Sequence, residues 1–470
     1  MRVISRRIAL RIAAAVVGAA TVVGGVAAGP GFAAPTLGTV APQSADGGGR
    51  HWVTAYSASM QGPSTLGDFG AETLSGYEYT KTAQEIVPPP TTFSDETIRQ
   101  VQYLHHSGDA VRLQLSNLFG AAPTTLPAVT VGIRQGESGG AVEEGTQRAV
   151  TFGSDRSVTI PAGGSVLSDP VDLPVEAFDH LVTSIFVPAG NPPASVHGNA
   201  QQTFFTGSGD LSGQPGDEGF TERGIVLNNY TATFTTASYY VAGIQVDADP
   251  EARTLVTFGD SITDGFLSSG NTDTRYPDFL ARRLQANPST DHLSVANQAI
   301  SGGRVLRDGI GPSALHRFER EVLDQPNVAG VIFLQGINDF GTALYQLPAA
   351  SAEEIIAGYR ELAARAHAHD IPIFIGTLTP SGNLARPAPY GTYSTPDTVA
   401  KRAQVNEWLR TEGPDVFDGV IDYDAAIRDP LIPDWIQLRY DAGDNLHPND
   451  AGYEAMADTV PLEFLAELSH

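Results

Sequence analysis

The chain has no cysteine among its 470 residues, which excludes disulfides, thiolate metal sites and a thiol nucleophile. Lysine is nearly as scarce: only Lys81 and Lys401 occur, so arginine carries almost all the positive charge. With 53 acidic and 28 basic residues the formal net charge is −25 at pH 7. That balance argues against nucleic acid or an anionic membrane surface as the main partner. Beyond the first 33 residues no run is apolar and long enough to span a bilayer.

What is present describes a globular protein with 41% hydrophobic and 17% charged residues. Fifty glycines and 32 prolines indicate many turns. The length is too great for one ordinary core, and two domains are the natural expectation. The N-terminus has a basic start (Arg2, Arg6, Arg7, Arg11), a small-residue apolar stretch and Gly31-Phe32-Ala33. This reads as a secretory signal peptide over 1–33 with a cut after Ala33 and no retained membrane anchor, so the protein is expected to be exported. "SRRIAL" is similar to a twin-arginine motif, with Ala9 a departure, so both the Sec and Tat routes stay open.

Residues 34–50 form a Pro/Gly/Ser-rich linker. From 51 to 248 short β-type runs alternate with turn signals, as in "AVRLQLSNLF" (110–119), "AVTVGIR" (128–134) and "HLVTSIFVPAG" (180–190). This segment is expected to be an all-β, jelly-roll or sandwich-like domain. From 249 to 470 the texture changes to strand–helix units: "RTLVTFGD" before "YPDFLARRLQAN", "LSVANQAI" before "SALHRFEREVLDQ", and three more. Such alternation predicts a parallel sheet with helices on both faces, its ligand site beyond the C-terminal strand ends.

Ser261, in "VTFGDSITDG" (256–265), lies just past the first of those ends. A serine becomes a useful nucleophile when a base takes its proton and donors receive the oxyanion. Among eleven histidines the outstanding base is His447 in "DAGDNLHPND" (441–450), three residues after Asp444. A Gly/Pro-punctuated loop can turn both side chains to one side, with the acid orienting the imidazole. The same loop also caps the last helix through Asn449 or Asp450; both uses can hold. After the second strand, Gly302 in "NQAISGGRVL" can bring a backbone N–H near a substrate. After the third, Asn338 in "LQGINDFG" offers a side-chain amide. Either turn alone is explained by backbone geometry. Four turns, each ending a strand or preceding the final helix with a complementary group, are harder to dismiss.

In these four ordered blocks, "GDSITDG", "NQAISGG", "GIND" and "DNLHP", the chain resembles the SGNH hydrolases, also called GDSL esterases/lipases. The resemblance spans about 250 to 462. It implies a three-layer α/β/α, flavodoxin-like domain, with Ser261 as nucleophile, His447 as general base and then acid, and Asp444 as its orienting partner. It further implies an oxyanion hole made by the backbone N–H groups of Ser261 and Gly302 and the side chain of Asn338. No cofactor or metal is implied. Two positions depart from the family's usual form: Ala299 and Gly303 stand where relatives often carry a glycine and a polar residue, and Gln335 precedes "GIND". A β-rich domain before such a domain is similar to a secreted bacterial subgroup that includes acetylxylan-type esterases. The implied function is a secreted serine esterase acting on short-chain acyl or acetylated carbohydrate esters. A lipase or phospholipase on long acyl chains, and a glycan-binding protein with an inactive hydrolase domain, remain alternatives, and the subunit count is left open.

Other features carry no chemistry. His367 and His369 in "RAHAHD" are expected at a solvated helix end, since two residues apart on a helix they face different sides. His105 and His106 end a β-type run and are expected at the surface. Asp260 and Asp264, which flank Ser261, are read as hydrogen-bond acceptors that stabilise its loop.

Overall fold

A computed structural model describes residues 49–63, 89–224, 236–341, 348–382 and 393–468. The expected signal peptide and nearly all of the linker lie outside the described residues. Those from Gly49 to Leu468 belong to one compact unit, with two large hydrophobic cores, one drawn from 53–252 and the other from 255–468.

The second core surrounds a five-stranded parallel sheet. Its strands are β1 (Arg253–Gly259), β2 (Leu293–Ala299), β3 (Val328–Leu334), β4 (Ile373–Gly376) and β5 (Gly419–Ile421), in spatial order β2-β1-β3-β4-β5. All of β2 and β4 and nearly all of β1 and β3 are buried, the pattern of strands covered on both faces. The chain steps from β1 outward to β2, returns past β1 to β3, then continues to β4 and β5. Right-handed crossovers therefore put the first helix on one face and the next three on the other.

The helices are α1 (Ser261–Asp264), α2 (Tyr276–Gln285), α3 (Ala314–Phe318), α4 (Ile337–Phe340), α5 (Ala352–Ala368), α6 (Pro396–Thr411), α7 (Tyr423–Ile427), α8 (Asp450–Thr459) and α9 (Leu462–Leu465). Helices α2, α7 and α8 pack together, as do α3, α5 and α6. The last helical stretch, which reads as continuous, breaks at Val460-Pro461, where proline cannot extend the hydrogen-bond ladder. Among the described residues no helix is long and apolar enough to cross a membrane.

The first core lies between two antiparallel sheets. One has the order Trp52–Ser57, Val241–Asp247, Val111–Ser116, Ser165–Leu167; the other has Phe220–Arg223, Phe204–Ser208, Glu96–Tyr103, His180–Val187, Ala128–Ile133, Arg148–Ala149. Val53, Leu113 and Ile244 of one sheet share a single cluster with Ile98, Val129, Ile185 and Phe204 of the other. That is the sandwich arrangement expected from alternating inward-facing residues. The protein is thus an α/β fold with a strand-rich antiparallel region before its parallel sheet.

Strand Trp52–Ser57 lies along the β2 edge of the parallel sheet without joining its ladder. Ser294 Oγ donates to the Thr54 carbonyl at 2.8 Å, Ser57 Oγ donates to the Asn297 carbonyl at 3.1 Å, and the Thr54 amide donates to Thr254 Oγ1 at 3.1 Å. Side chains thereby satisfy an edge that would otherwise invite pairing with another chain.

His105 and His106 contradict their expected surface placement, with 5% and 7% of their surface exposed. His105 Nε2 meets Asp278 Oδ1 at 3.0 Å and its Nδ1 meets the Val295 carbonyl at 2.7 Å. Asp278 in turn receives the Arg275 guanidinium at 3.1 Å. The strand end that looks exposed in sequence is covered by α2 and β2. His367, by contrast, lies near the end of α5, half-exposed and paired with Asp418, and His369 ends that helix.

Arg317, fully buried, bonds the Gly259 and Gln298 carbonyls, Gln335 and Glu321, and its guanidinium lies 4.0 Å from the Phe258 ring centroid. Replacing it by methionine strips these acceptors at once. The Arg317→Met protein is expected to lose about 3–5 kcal/mol in urea unfolding, the usual cost of breaking a buried pair from one side.

Candidate active site

Gly259 ends β1 where no side chain fits: a Cβ there would overlap the Leu334 carbonyl oxygen and the Thr263 side chain. Asp260 follows as the N-cap of α1, its Oδ1 accepting from the Ile262 amide at 3.1 Å. Ser261 is the first residue of that one-turn helix, so its own N–H belongs to the donors a helix start leaves without an internal partner. The turn closes at Gly265 with φ of 86°, and a Cβ there would strike the Arg275 side chain.

The loop before α8 is built by aspartates that bond forward along their own backbone. Asp441 Oδ1 accepts from the amides of Gly443 and Asn445, both at 2.9 Å. Asp444 Oδ1 accepts from the amides of Leu446 and His447 at 2.9 and 2.7 Å. That leaves Asp444 Oδ2 to accept from His447 Nδ1 at 2.6 Å. With Nδ1 carrying its hydrogen toward the carboxylate, Nε2 is the acceptor and lies 2.8 Å from Ser261 Oγ. The Phe266 ring packs against the imidazole at 4.5 Å between centroids, and Tyr453 anchors Phe266 by donating to its carbonyl at 2.7 Å. Ser261, Asp444 and His447 are all buried, and Asn449 caps α8 by accepting from the Gly452 amide.

The other two blocks lie at the neighbouring strand ends. Gly302 sits in a tight turn with φ of 78°, a left-handed value that favours glycine; the Gly303 amide closes the turn on the Ile300 carbonyl at 2.7 Å. Asn338 Nδ2 donates to the Gly303 carbonyl at 3.0 Å and its Oδ1 accepts from Tyr393 at 2.8 Å. The second hydrogen on Nδ2 remains for another acceptor.

Two buried aspartates tie these loops together. Asp264 Oδ2 accepts from the Ser301 amide at 3.1 Å and its hydroxyl at 2.6 Å, joining the first block to the second. Asp339 accepts from the Val305 and Leu306 amides at 2.8 and 3.1 Å, joining the third to the second. The reading of Asp260 and Asp264 as acceptors fits these contacts. Sequence reasoning did not reach Asp339, Tyr393 or Phe266. Asp339 follows Asn338 in "GIND", where an acid able to reach back across the strand ends was the available signal; Tyr393 and Phe266 had none.

The acids fall into two electrostatic classes. Burial alone would raise Asp444, but the His447 imidazole and the amides of His447 and Leu446 outweigh it and hold the carboxyl below its usual range. Asp260 has fewer compensating donors, and burial pushes it up to about 7; Asp339 is pushed up to about 6 in the same way. Among the described residues no group of three or more His, Asp or Glu is arranged to hold a metal ion.

The Asp260 shift sets a pH dependence of stability. Above about pH 4 the unfolded chain ionises this carboxyl while the folded state keeps it protonated, so stability falls until about pH 7 and then levels off. Asparagine keeps the cap and cannot ionise. Asp260→Asn is therefore expected to gain on the wild type from pH about 4 upward, reaching on the order of a few kcal/mol above pH about 7. Chemical denaturation at pH 4 and pH 8 measures this; equal gains at both values would exclude the ionisation account.

Residues 257–455 match the model of the GDSL-like lipase/acylhydrolase family. Several solved structures share a distant likeness. A GDSL-like lipase from Bacteroides thetaiotaomicron is 15% identical, covering 46% of this chain and 90% of its own, with a TM-score of 0.32. A carbohydrate acetylesterase from Sinorhizobium meliloti is 14% identical over 44% of this chain and 94% of its own, with a TM-score of 0.34. A carbohydrate esterase family 2 enzyme with a carbohydrate binding domain, from Corynascus thermopiles (Myceliophthora fergusii), is 14% identical over 82% of this chain and 98% of its own, with a TM-score of 0.33. No curated protein matches the chain. The family match encloses all four blocks around Ser261, Gly302, Asn338 and the Asp444–His447 loop: residues 257–455 belong to the GDSL-like lipase/acylhydrolase family, and the protein is an ester-cleaving hydrolase.

Proposed function

We propose that the protein hydrolyses carboxylic esters through an acyl-enzyme on Ser261. The observation that carries this reading is the relay in which Ser261 Oγ lies 2.8 Å from His447 Nε2 and His447 Nδ1 lies 2.6 Å from Asp444 Oδ2. His447 takes the hydroxyl proton as Ser261 Oγ attacks the ester carbonyl carbon. Asp444, held ionised, keeps the imidazole in the right tautomer and stabilises the imidazolium that forms. The carbonyl oxygen becomes an oxyanion received by the N–H groups of Ser261 and Gly302 and by Asn338 Nδ2. As the intermediate collapses, the C–O bond breaks and His447 returns its proton to the leaving alcohol. Water then repeats the sequence on the acyl-enzyme, releasing the acid and restoring Ser261.

The proposed substrates are short-chain acyl esters, acetylated carbohydrate among them. The strongly acidic net charge supports a soluble or neutral substrate over an anionic lipid surface. One observation favours long acyl chains instead: Leu431 and Leu438 are 90% and 88% exposed in the segment leading into the Asp444–His447 loop. The proposed organisation is an exported chain in which 51–248 and 249–470 are two domains, the first backing the second.

Ser261→Ala is expected to abolish hydrolysis of p-nitrophenyl acetate with an unchanged melting temperature, and Asp444→Asn to lower kcat by about 10⁴-fold. Undiminished turnover by the Ser261 variant would remove the mechanism. A p-nitrophenyl ester series from acetyl to palmitoyl separates the substrate readings: kcat/KM falling with chain length supports the short-acyl esterase, and a rise supports the lipase.

A further inference from the structure

Three histidines of the strand-rich region each pair with an aspartate beyond residue 249. His105 meets Asp278 at 3.0 Å, His180 meets Asp273 at 2.7 Å, and His197 meets Asp264 at 3.1 Å. Among these three acids, Asp264 is the one that also holds the loop carrying Gly302.

His197 lies in the short strand Val196–Gly198 and is 4% exposed. Its Nδ1 is 3.0 Å from the Ser59 carbonyl oxygen, which can only accept, and its Nε2 faces Asp264 Oδ1. With an oxygen facing each ring nitrogen, the site favours a ring that carries hydrogen on both. Burial opposes that charge, yet the Asp264 carboxylate, its hydrogen bond and the Ser59 carbonyl outweigh burial and the nearby Arg275 guanidinium and raise the pKa. On the far side of the same carboxylate, Oδ2 takes both donors of Ser301, the residue before Gly302.

The strand-rich region backs this loop at other points. Ser59 Oγ lies 2.8 Å from Gln298 Oε1 and Gln61 Nε2 donates to the Ile310 carbonyl at 3.4 Å, while Gln61 Oε1 accepts from the Gly198 amide at 3.1 Å. The loop bearing Gly302 is therefore fixed from behind by residues that precede the parallel sheet by more than forty positions.

We propose that His197 is a positioning residue for ester hydrolysis: paired with Asp264, it clamps Ser301 so that the Gly302 amide stays aimed at the developing oxyanion. This rests on Ser261 being the nucleophile, and it makes the strand-rich region a working part of the active site. Hydrogen bonds to an oxyanion depend steeply on aim, because the donor must meet the oxygen where its charge develops. A displacement of about 1 Å in a catalytic array can cost about 100-fold in rate.

The test uses the intact chain and p-nitrophenyl acetate. His197→Asn keeps a donor for the Ser59 carbonyl but withdraws from Asp264, whereas His197→Gln reaches Asp264. The asparagine variant is expected to lower kcat about 10- to 100-fold with KM within about twofold. The glutamine variant is expected to regain most of that loss. Ser301→Ala is expected to lower kcat in the same way, and Ser301→Ala with His197→Asn to lose less than the product of the two single losses, since both act through one clamp.

Wild-type kcat in His197→Asn, a folded His197→Gln no better than His197→Asn, or multiplicative losses in the double variant would each overturn the proposal. Should His197→Asn fail to fold, Ser301→Ala still decides: an unchanged kcat there overturns the clamp. Ser261→Ala tests the underlying reading separately. Turnover retained in that variant removes the nucleophile, whereas full kcat in His197→Asn on a Ser261-dependent enzyme removes the clamp alone.

Discussion

The carboxylate of Asp264 joins three parts of the chain that are far apart in sequence. It belongs to the one-turn helix that presents Ser261, it receives both donors of Ser301 beside Gly302, and it meets the buried His197 of the strand-rich region. A charge this deep is tolerated only when its hydrogen-bonding capacity is met on all sides, since an unpaired one costs several kcal/mol. The consequence is mutual constraint: the Ser261 turn, the Gly302 turn and the Val196–Gly198 strand are tied to one carboxylate. Asp339 repeats the device one strand further on, tying Asn338's helix to Val305 and Leu306.

The same residue type serves opposite ends within this small volume. Asp444 is buried beside an imidazole and two amides, which hold its carboxyl below the usual range. Asp260, one residue before Ser261, is just as buried but has fewer donors and is pushed up to about 7. Environment, not identity, separates an electrostatic partner from a cap. Rigidity of the strand ends makes that separation useful, because a relay of hydrogen bonds at 2.8 and 2.6 Å persists only if neither loop drifts.

Much of this was legible before any coordinate. The alternation of apolar runs with amphipathic segments after residue 249 pointed to a parallel α/β sheet, because strands covered on both faces need continuous apolar runs and each parallel crossover needs a helix. Ser261, Gly302, Asn338, Asp444 and His447 stood out because each sits in a short, turn-forming block whose chemistry is local. His105 and His106 were misread for a complementary reason. They end a run that looks like any solvated strand end, and the groups that bury His105, Asp278 and the Val295 carbonyl, come from more than 170 residues away. The bond from Asn338 to the Gly303 carbonyl was unreadable as well, because a backbone acceptor leaves no mark in residue identity.

By itself the sequence determined the element order, the fold class, the ester-cleaving family and the four blocks, all properties carried by spacing and side-chain type along a few consecutive residues. Tertiary structure alone decided which distant groups meet: that Ser57 of the edge strand Trp52–Ser57 donates to the Asn297 carbonyl of β2, that Arg317 gathers the carbonyls of two strand ends, and that His197 stands behind Asp264. The physical reason is that a buried polar atom's partner is set by packing in three dimensions, and a single histidine in "SVHGN" carries no local mark of the carboxylate it will meet.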